Sequence, residues 1–332
     1  MLVVVDAGAR YGIHPSWTTF SGPLKYLAFE PDPDEAGRLQ RLYRHPKLEV
    51  IPAALGAKIG NARLHLTVHR GYSSFLSVDS RSEWFGRYRP GEGRLDRVIT
   101  VPVDTIDRFC SSRGIHADFL KVDTEGTELD VVRGARRQLA SSILGVRVNV
   151  SFQPAFVGHQ LFPEIQNWLS QCGFMLLNMD YFGRGIPRNS LFRSPDPLVP
   201  DLERFGILLS TDAVWIKNDD AIFAGSAPAA SLRTLKMATF CLLNHAPDVG
   251  IDFLLQYVKR HGRFPSSVEE TELFQWLRWK AVEFLGRWRV YPDVQWKVVQ
   301  KMARTIFGLE LRPGHAYWEL VSKLNPSRSR GA

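Results

Sequence analysis

Along its first two-thirds the chain alternates short apolar runs with stretches of helical spacing. "LVVVDAG" (2–8), "KYLAFEPDP" (25–33) and "LEVIPAALG" (48–56) are apolar segments closed by Gly, Pro or Asp, and "DEAGRLQRLYRH" (34–45) between the last two is helical. "ARLHLTVH" (62–69) alternates apolar and polar positions, as an exposed or edge strand does. "VITVPVDTIDRFCSSRG" (98–114) reads as a strand running into a helix that ends at Gly114. "ADFLKVD" (117–123) and "GVRVNVSF" (145–152) are further strands, with a helix predicted over 127–140 between them. A helix over 161–171 precedes "FMLLNMD" (174–180), and "GILLS" (206–210) and "AVWIK" (213–217) are the last strand candidates. Short apolar strands alternating with helices predict an α/β domain, its mainly parallel sheet covered on both faces.

Residues 218–229, "NDDAIFAGSAPA", mark a boundary, and beyond them the pattern turns helical. In 267–288, Leu273, Leu277, Ala281, Phe284, Leu285 and Trp288 fall on one stripe. Ser267 and Glu270 fit a capping box at its start, and Pro292 suits the first turn of a helix over 292–307. Trp276, Trp279, Trp288, Trp296 and Trp318 lie here, five of the chain's 9 tryptophans, as core packing of an all-helical domain would place them. The expected division is 1–218 and 227–325.

Charge sharpens that division. The 332 residues carry a net charge of +8, but 227–332 hold 16 Lys+Arg against 9 Asp+Glu, a net of +7. This third is a solvated helical surface or a dock for an anionic partner or carrier. No apolar run approaches the roughly 20 residues of a membrane helix. The N-terminus has no basic region before its apolar run and reads as a strand rather than a signal peptide. Three scattered cysteines, Cys110, Cys172 and Cys241, form neither a metal spacing nor a disulfide framework. Together with Pro- and Arg-rich usage, these features predict a bacterial cytoplasmic protein.

The chemistry clusters at strand ends. In "VVVDAGARYG" the first strand ends at Asp6, and Gly8 and Gly12 follow in the turn. Glycines there let backbone approach a ligand, and a following helix would aim its N–H groups at it. The glycines are four apart with no third, which departs from the dinucleotide G-x-G-x-x-G; a tight structural turn is the alternative. Glu30 ends the second strand 24 residues after Asp6, placed to take both hydroxyls of a nucleoside ribose. Pro31 and Pro33 also fit a plain surface turn there. In "DFLKVDTEGTELDVVRGA" (118–135) alternation puts Lys121 and Asp123 on one face, with Asp123 at the carboxyl end where open α/β sheets bind ligands. Gly126 permits a sharp turn. Glu125 and Glu128 enrich the start of a helix, where they would also complement its dipole. No His lies in that strand or turn, so a metal is not expected.

In this order, "VVVDAGARYG", "FEPDP", "VIPAALG", "YSSFL", "VDTIDRF", "FLKVDTEGTELDVVRGA", "FQPAFVGHQLFPEIQNWLSQCGF" and "DAVWIK" resemble the FkbM family of S-adenosylmethionine-dependent methyltransferases, over about residues 2–218. The resemblance implies a class I methyltransferase fold: a seven-stranded sheet with an antiparallel last strand. It implies methyl transfer to a hydroxyl of a sugar, glycan, lipid or polyketide-type acceptor. By position it implies a cofactor loop of Asp6, Gly8, Ala9 and Gly12, a ribose contact at Glu30, and Ala53 near the adenine. Lys121, Asp123 and Glu125 would line the reaction cleft, and Ser73, Ser74 and Asn149 the substrate side. Two features depart from the pattern. Asn149 stands where the family often has glutamate, and the chain begins directly at the first strand, without the preceding residues relatives often carry. The resemblance is silent on the helical third.

For such a reaction, holding the acceptor in line with the methyl supplies roughly 7–11 kcal/mol. A general base adds about 10²–10⁴-fold. Two other readings exist. A nucleotide-dependent oxidoreductase lacks its third glycine. A non-catalytic scaffold would draw on Asn149. Nucleic acid is not an expected partner, and the oligomeric state is open.

Overall fold

The computed structural model describes residues 1–43, 47–186, 206–287 and 293–308. It divides into two compact units: Val3–His14 with Lys25–Ile216, and Met1–Leu2 with Pro15–Leu24 and the residues from Lys217 onward.

The first unit is built on a seven-stranded sheet. Its strands, in chain order, are β1 (Leu2–Ala7), β2 (Leu24–Phe29), β3 (Leu48–Ile51), β7 (Phe119–Val122), β8 (Gly145–Ser151), β9 (Phe174–Gly185) and β10 (Ile207–Lys217). A second sheet holds β4 (Ala54–Leu55), β5 (Gly60–Thr67) and β6 (Leu95–Asp104). The large sheet is ordered β3-β2-β1-β7-β8-β10-β9, with β1, β7 and β8 parallel and β10 antiparallel to β8. This is the mainly parallel α/β sheet with an antiparallel late strand that a class I methyltransferase-like fold requires. Its central strand β7 is buried along its whole length, as a strand inside a covered parallel sheet is. Val5, Phe29, Leu120, Val146, Val148 and Trp215 belong to one apolar core. Trp215 keeps its indole N–H satisfied by donating to Gln166 Oε1 at 2.7 Å.

Several expectations are corrected. The segment 48–56 is two strands in two sheets: β3 pairs with β2, and β4 with β6. The strand within 98–114 is β6, which pairs with β4 and β5 and stays out of the main sheet. "GILLS" and "AVWIK" are one continuous strand, β10. The helix over 127–140 is two, Glu128–Arg133 and Arg136–Ser141. Gly134 lies at that break, where a Cβ would fall 2.1 Å from the Gly56 carbonyl oxygen, so only glycine lets the two backbones meet.

The second unit is helical: Pro15–Thr18, Asp219–Phe223, Ala227–Leu243, Pro247–His261, Ser266–Glu269, Glu272–Arg287 and Asp293–Phe307. Trp17, Phe20, Phe240 and Trp276 form an aromatic chain in its core, with Phe20 and Trp276 centroids 4.7 Å apart. Leu273, Leu277 and Ala281 are buried, as the stripe predicted. The capping box at Ser267 and Glu270 is not formed there. Ser266–Glu269 is a separate turn of helix, and Thr271 Oγ1 accepts from the Phe274 N–H at the true start of the next helix. Trp288, Pro292 and Trp318, and the side chains of Phe284, Leu285 and Trp296, lie outside the described residues. Among the described residues no helix is long and apolar enough to cross a membrane.

Candidate active site

Parallel pairing of β1 with β7 sets Asp6 beside Lys121. Lys121 Nζ lies 3.1 Å from Asp6 Oδ1 and 3.5 Å from Asp123 Oδ2, and donates to the Gly8 carbonyl at 3.0 Å. Asp6 is fully buried and also accepts from the Tyr26 hydroxyl at 2.5 Å. Burial pulls the Lys121 pKa down, but Asp6 and then Asp123 outweigh it, and the ammonium holds its proton above the ordinary lysine range. The buried lysine is thus a tie between two strand ends and the turn after β1.

That turn is closely packed. Gly8 and Ala9 both donate their N–H groups to the Phe29 carbonyl, at 3.1 and 3.0 Å, and Gly12 donates to Ala9 at 2.8 Å. Gly8 is in the left-handed region, at φ 86°, and a Cβ there would lie 1.8 Å from the Asp123 carbonyl oxygen. No helix begins within 8–12; the first, Pro15–Thr18, belongs to the other unit. The turn therefore offers close backbone approach in place of a helix N-terminus.

Glu30 directly follows β2 and is 3% exposed. Its Oε1 accepts from the Asp32 N–H at 2.9 Å and lies 3.7 Å from Arg10, whose guanidinium donates to Asp32 at 2.8 Å. Among the described residues no group donates to Oε2. Burial, only partly offset by Arg10, pushes the carboxyl up to about 7.

Past β7 the chain makes the acidic turn. Asp123 N–H donates to the Ala7 carbonyl at 2.9 Å. Glu125 takes a left-handed φ of 56° and its carbonyl accepts from the Ser74 hydroxyl at 2.6 Å. The buried Glu128 carboxylate closes the turn by accepting from the N–H groups of Thr124 (2.8 Å) and Gly126 (3.0 Å). Burial raises the carboxyl pKa of all three. Glu128 reaches about 7, Glu125 rises further under the charge of Asp123, and for Asp123 Lys121 opposes the rise.

Asp123 and Glu125 line two cavities. The first runs from Gly8, Arg10 and Glu30 past apolar Leu55, Leu64 and Phe75. The second is walled by Tyr72, Trp84, Phe156, Arg89, His159 and Asn149.

Of the expected residues, Gly8, Glu30, Ser73, Asp123 and Glu125 meet at the first cavity, and Asn149 joins the two carboxylates at the second. Asp6, Lys121, Ala9 and Gly12 build the turn beneath. Ala53 packs against the core, and the cavity is lined by the next two residues, Ala54 and Leu55. Ser73 Oγ accepts from the Thr67 N–H at 3.2 Å, whereas Ser74 is committed to the acidic turn. Among the described residues no cluster could hold a metal ion.

A charge network was not foreseen. Asn149 donates to Asp212 Oδ1 at 2.9 Å, and Arg147 donates to Asp212 at 3.0 Å and to both oxygens of Asp180. His14, in the segment after the glycine turn, lies 3.4 Å from Asp212. Burial would raise the Asp212 carboxyl, but hydrogen bonds from His14 and Asn149 and the charge of Arg147 bring it to about 2. The signal was the alternation of Arg147, Asn149 and Ser151 with three valines in β8, which marks a polar face on a buried strand.

Residues 6–176 match the family model described as the methyltransferase FkbM domain. No curated protein matches the chain. One similar solved structure is that of methyltransferase FkbM from Methylobacillus flagellatus KT, at 15% identity and a TM-score of 0.37. The match covers 65% of this chain and 43% of that one, so the chain spans less than half of that protein's length.

Proposed function

The chain belongs to the methyltransferase FkbM domain family, and on that premise we propose that it is an S-adenosylmethionine-dependent O-methyltransferase. The observation that carries the reading is Glu30, a buried carboxylate that lines a cavity leading past Gly8 to Asp123 and whose Oε2 accepts no hydrogen bond among the described residues. A ribose diol would donate to that carboxylate, and charge-assisted bonds of this kind contribute about 1.5–3 kcal/mol. The apolar lining from Leu55, Leu64 and Phe75 suits a purine face. When bound, the donor supplies a methyl carbon on a sulfonium, open to displacement by an oxygen.

The chain's own groups do the rest. The Lys121 tie keeps Asp123 and the Gly8 turn in register. Asp123 and Glu125 stand at the junction of the two cavities, where a carboxylate with raised proton affinity takes the proton of an acceptor hydroxyl. The second cavity, lined by aromatic and polar side chains, receives the acceptor: a small molecule, glycan, lipid or polyketide-type compound carrying a hydroxyl. In this reading residues 1–218 carry the reaction. The basic helical residues 227–325 form a separate domain that serves as a dock for an anionic carrier. A bacterial cytoplasmic location belongs to the same proposal, on composition alone.

The test is a calorimetric titration of S-adenosylmethionine into the wild type and Glu30→Ala. The reading expects micromolar binding that the substitution abolishes. A folded wild type that binds no donor overturns it.

A further inference from the structure

One titratable group of the second cavity has no part in the roles above: His159. It lies between β8 and the helix Phe162–Gln171, in a loop that is tied down. Asp79 N–H donates to the Ala155 carbonyl at 3.0 Å, Val157 N–H to Ser77 at 2.9 Å, and His159 N–H to Phe156 at 3.2 Å. The imidazole is held as well. The Ala155 N–H donates to His159 Nδ1 at 3.1 Å, and the Phe156 ring packs against it with centroids 5.5 Å apart. A nitrogen that accepts carries no proton, so a neutral ring has its hydrogen on Nε2. The Cδ2 edge, bonded to Nε2, faces the acidic turn: a Cβ built on Gly126 would come within 3.3 Å of it.

We propose that His159 is the fixed hydrogen-bond donor of the acceptor site, its Nε2–H holding the acceptor oxygen beside Asp123 and Glu125, and that this donor selects hydroxyl over amine acceptors. The proposal rests on the methyltransferase reading of the site. A hydroxyl oxygen has two lone pairs. One accepts from Nε2–H while the other forms the new bond to carbon. The carbon–sulfur bond breaks with its electron pair staying on sulfur, and the hydroxyl proton passes to a carboxylate. An amine nitrogen has a single lone pair, and a fixed donor occupies it.

The groups around His159 bear on its charge. Asp123, Glu125 and Glu128 face it from the turn, Tyr72 and Arg89 from the cavity wall, and Glu164 from the following helix. The carboxylates favour an imidazolium. Against them stands the geometry: a second proton would sit on Nδ1, where the Ala155 N–H already points. Burial acts in the same direction, outweighs Glu164 and holds the pKa near 4. His159 thus leaves proton removal to the carboxylates.

The test is nitrogen-15 NMR of the histidine rings in the full chain, with and without S-adenosylhomocysteine, His159→Gln assigning the signal by its loss. The expected result is an unprotonated Nδ1 and a protonated Nε2 throughout about pH 5–8, with the Nε2 resonance moving when methanol is added to molar concentration. An imidazolium at neutral pH, a proton on Nδ1, or an Nε2 signal unmoved by methanol overturns the proposal. Failure of S-adenosylhomocysteine to bind refutes the methyltransferase reading and is seen separately from a wrong tautomer.

Discussion

The raised carboxyl of Glu30 makes donor binding depend on pH in a calculable way. In the free protein the group titrates at about 7 because it is buried with only partial compensation from Arg10. A diol donates to the ionised form, so protonation competes with binding. About one-eleventh of the carboxyl is ionised at about pH 6 and about ten-elevenths at about pH 8, so the dissociation constant should fall about tenfold between them, or about 1.4 kcal/mol. The probe is 5′-methylthioadenosine, which keeps the ribose and adenine but has no amino-acid group titrating in that range. Calorimetric titrations at intervals of pH read the slope. Glu30→Gln should bind more weakly at about pH 8, by about 1.5–3 kcal/mol, and lose the slope. A flat wild-type profile, or the same slope in Glu30→Gln, would refute the reasoning. The same shift acts on the fold. A carboxyl raised from 4.5 to about 7 contributes stability that is present below 4.5 and lost as pH rises through about 7. The donor-free protein should therefore melt higher near the acid end of that window.

Four further outcomes are expected. Gly8→Ala drives a Cβ into the Asp123 carbonyl and adds a left-handed backbone cost of about 1–2 kcal/mol; nucleoside binding should vanish while circular dichroism still reports a folded chain. Asp123→Asn should leave donor affinity within a few-fold, since Asp6 still pairs Lys121, but slow labelled-methyl transfer to hydroxylated glycans by about 10²–10⁴-fold. Lys121→Met leaves Asp6 buried without its cation, and denaturant unfolding should show a loss of about 3–5 kcal/mol. Asn149→Glu exchanges a donor to Asp212 for a like charge, so the melting temperature should drop with a loss of about 1–3 kcal/mol and no gain in transfer rate.

What the sequence shows of this site is what lies at the ends of parallel strands. Asp6, Glu30 and Asp123 each stand at the end of an apolar run, with Gly8 in the turn that follows the first, and parallel register then brings Asp6 to Lys121 without further information. Residues that meet across antiparallel pairs or loops are less legible. Asp212 reaches Asn149 through the β8–β10 register, and neither strand alone shows its partner. His159 owes its place to a loop closed by Ala155 and tied to residues 77–79. In the fold, β6 has the pattern of a main-sheet strand, and periodicity does not say which sheet a strand joins. Ser267 and Glu270 have the spacing of a cap, yet Pro265 opens an earlier turn and Thr271 caps the helix.

The most direct test of the account is a crystal structure of the chain with S-adenosylhomocysteine. The account predicts the nucleoside in the first cavity, its ribose hydroxyls on Glu30, its sulfur at the Gly8–Asp123 junction, and the second cavity open to the acceptor. A nucleoside bound elsewhere, or one whose ribose makes no contact with Glu30, would contradict it.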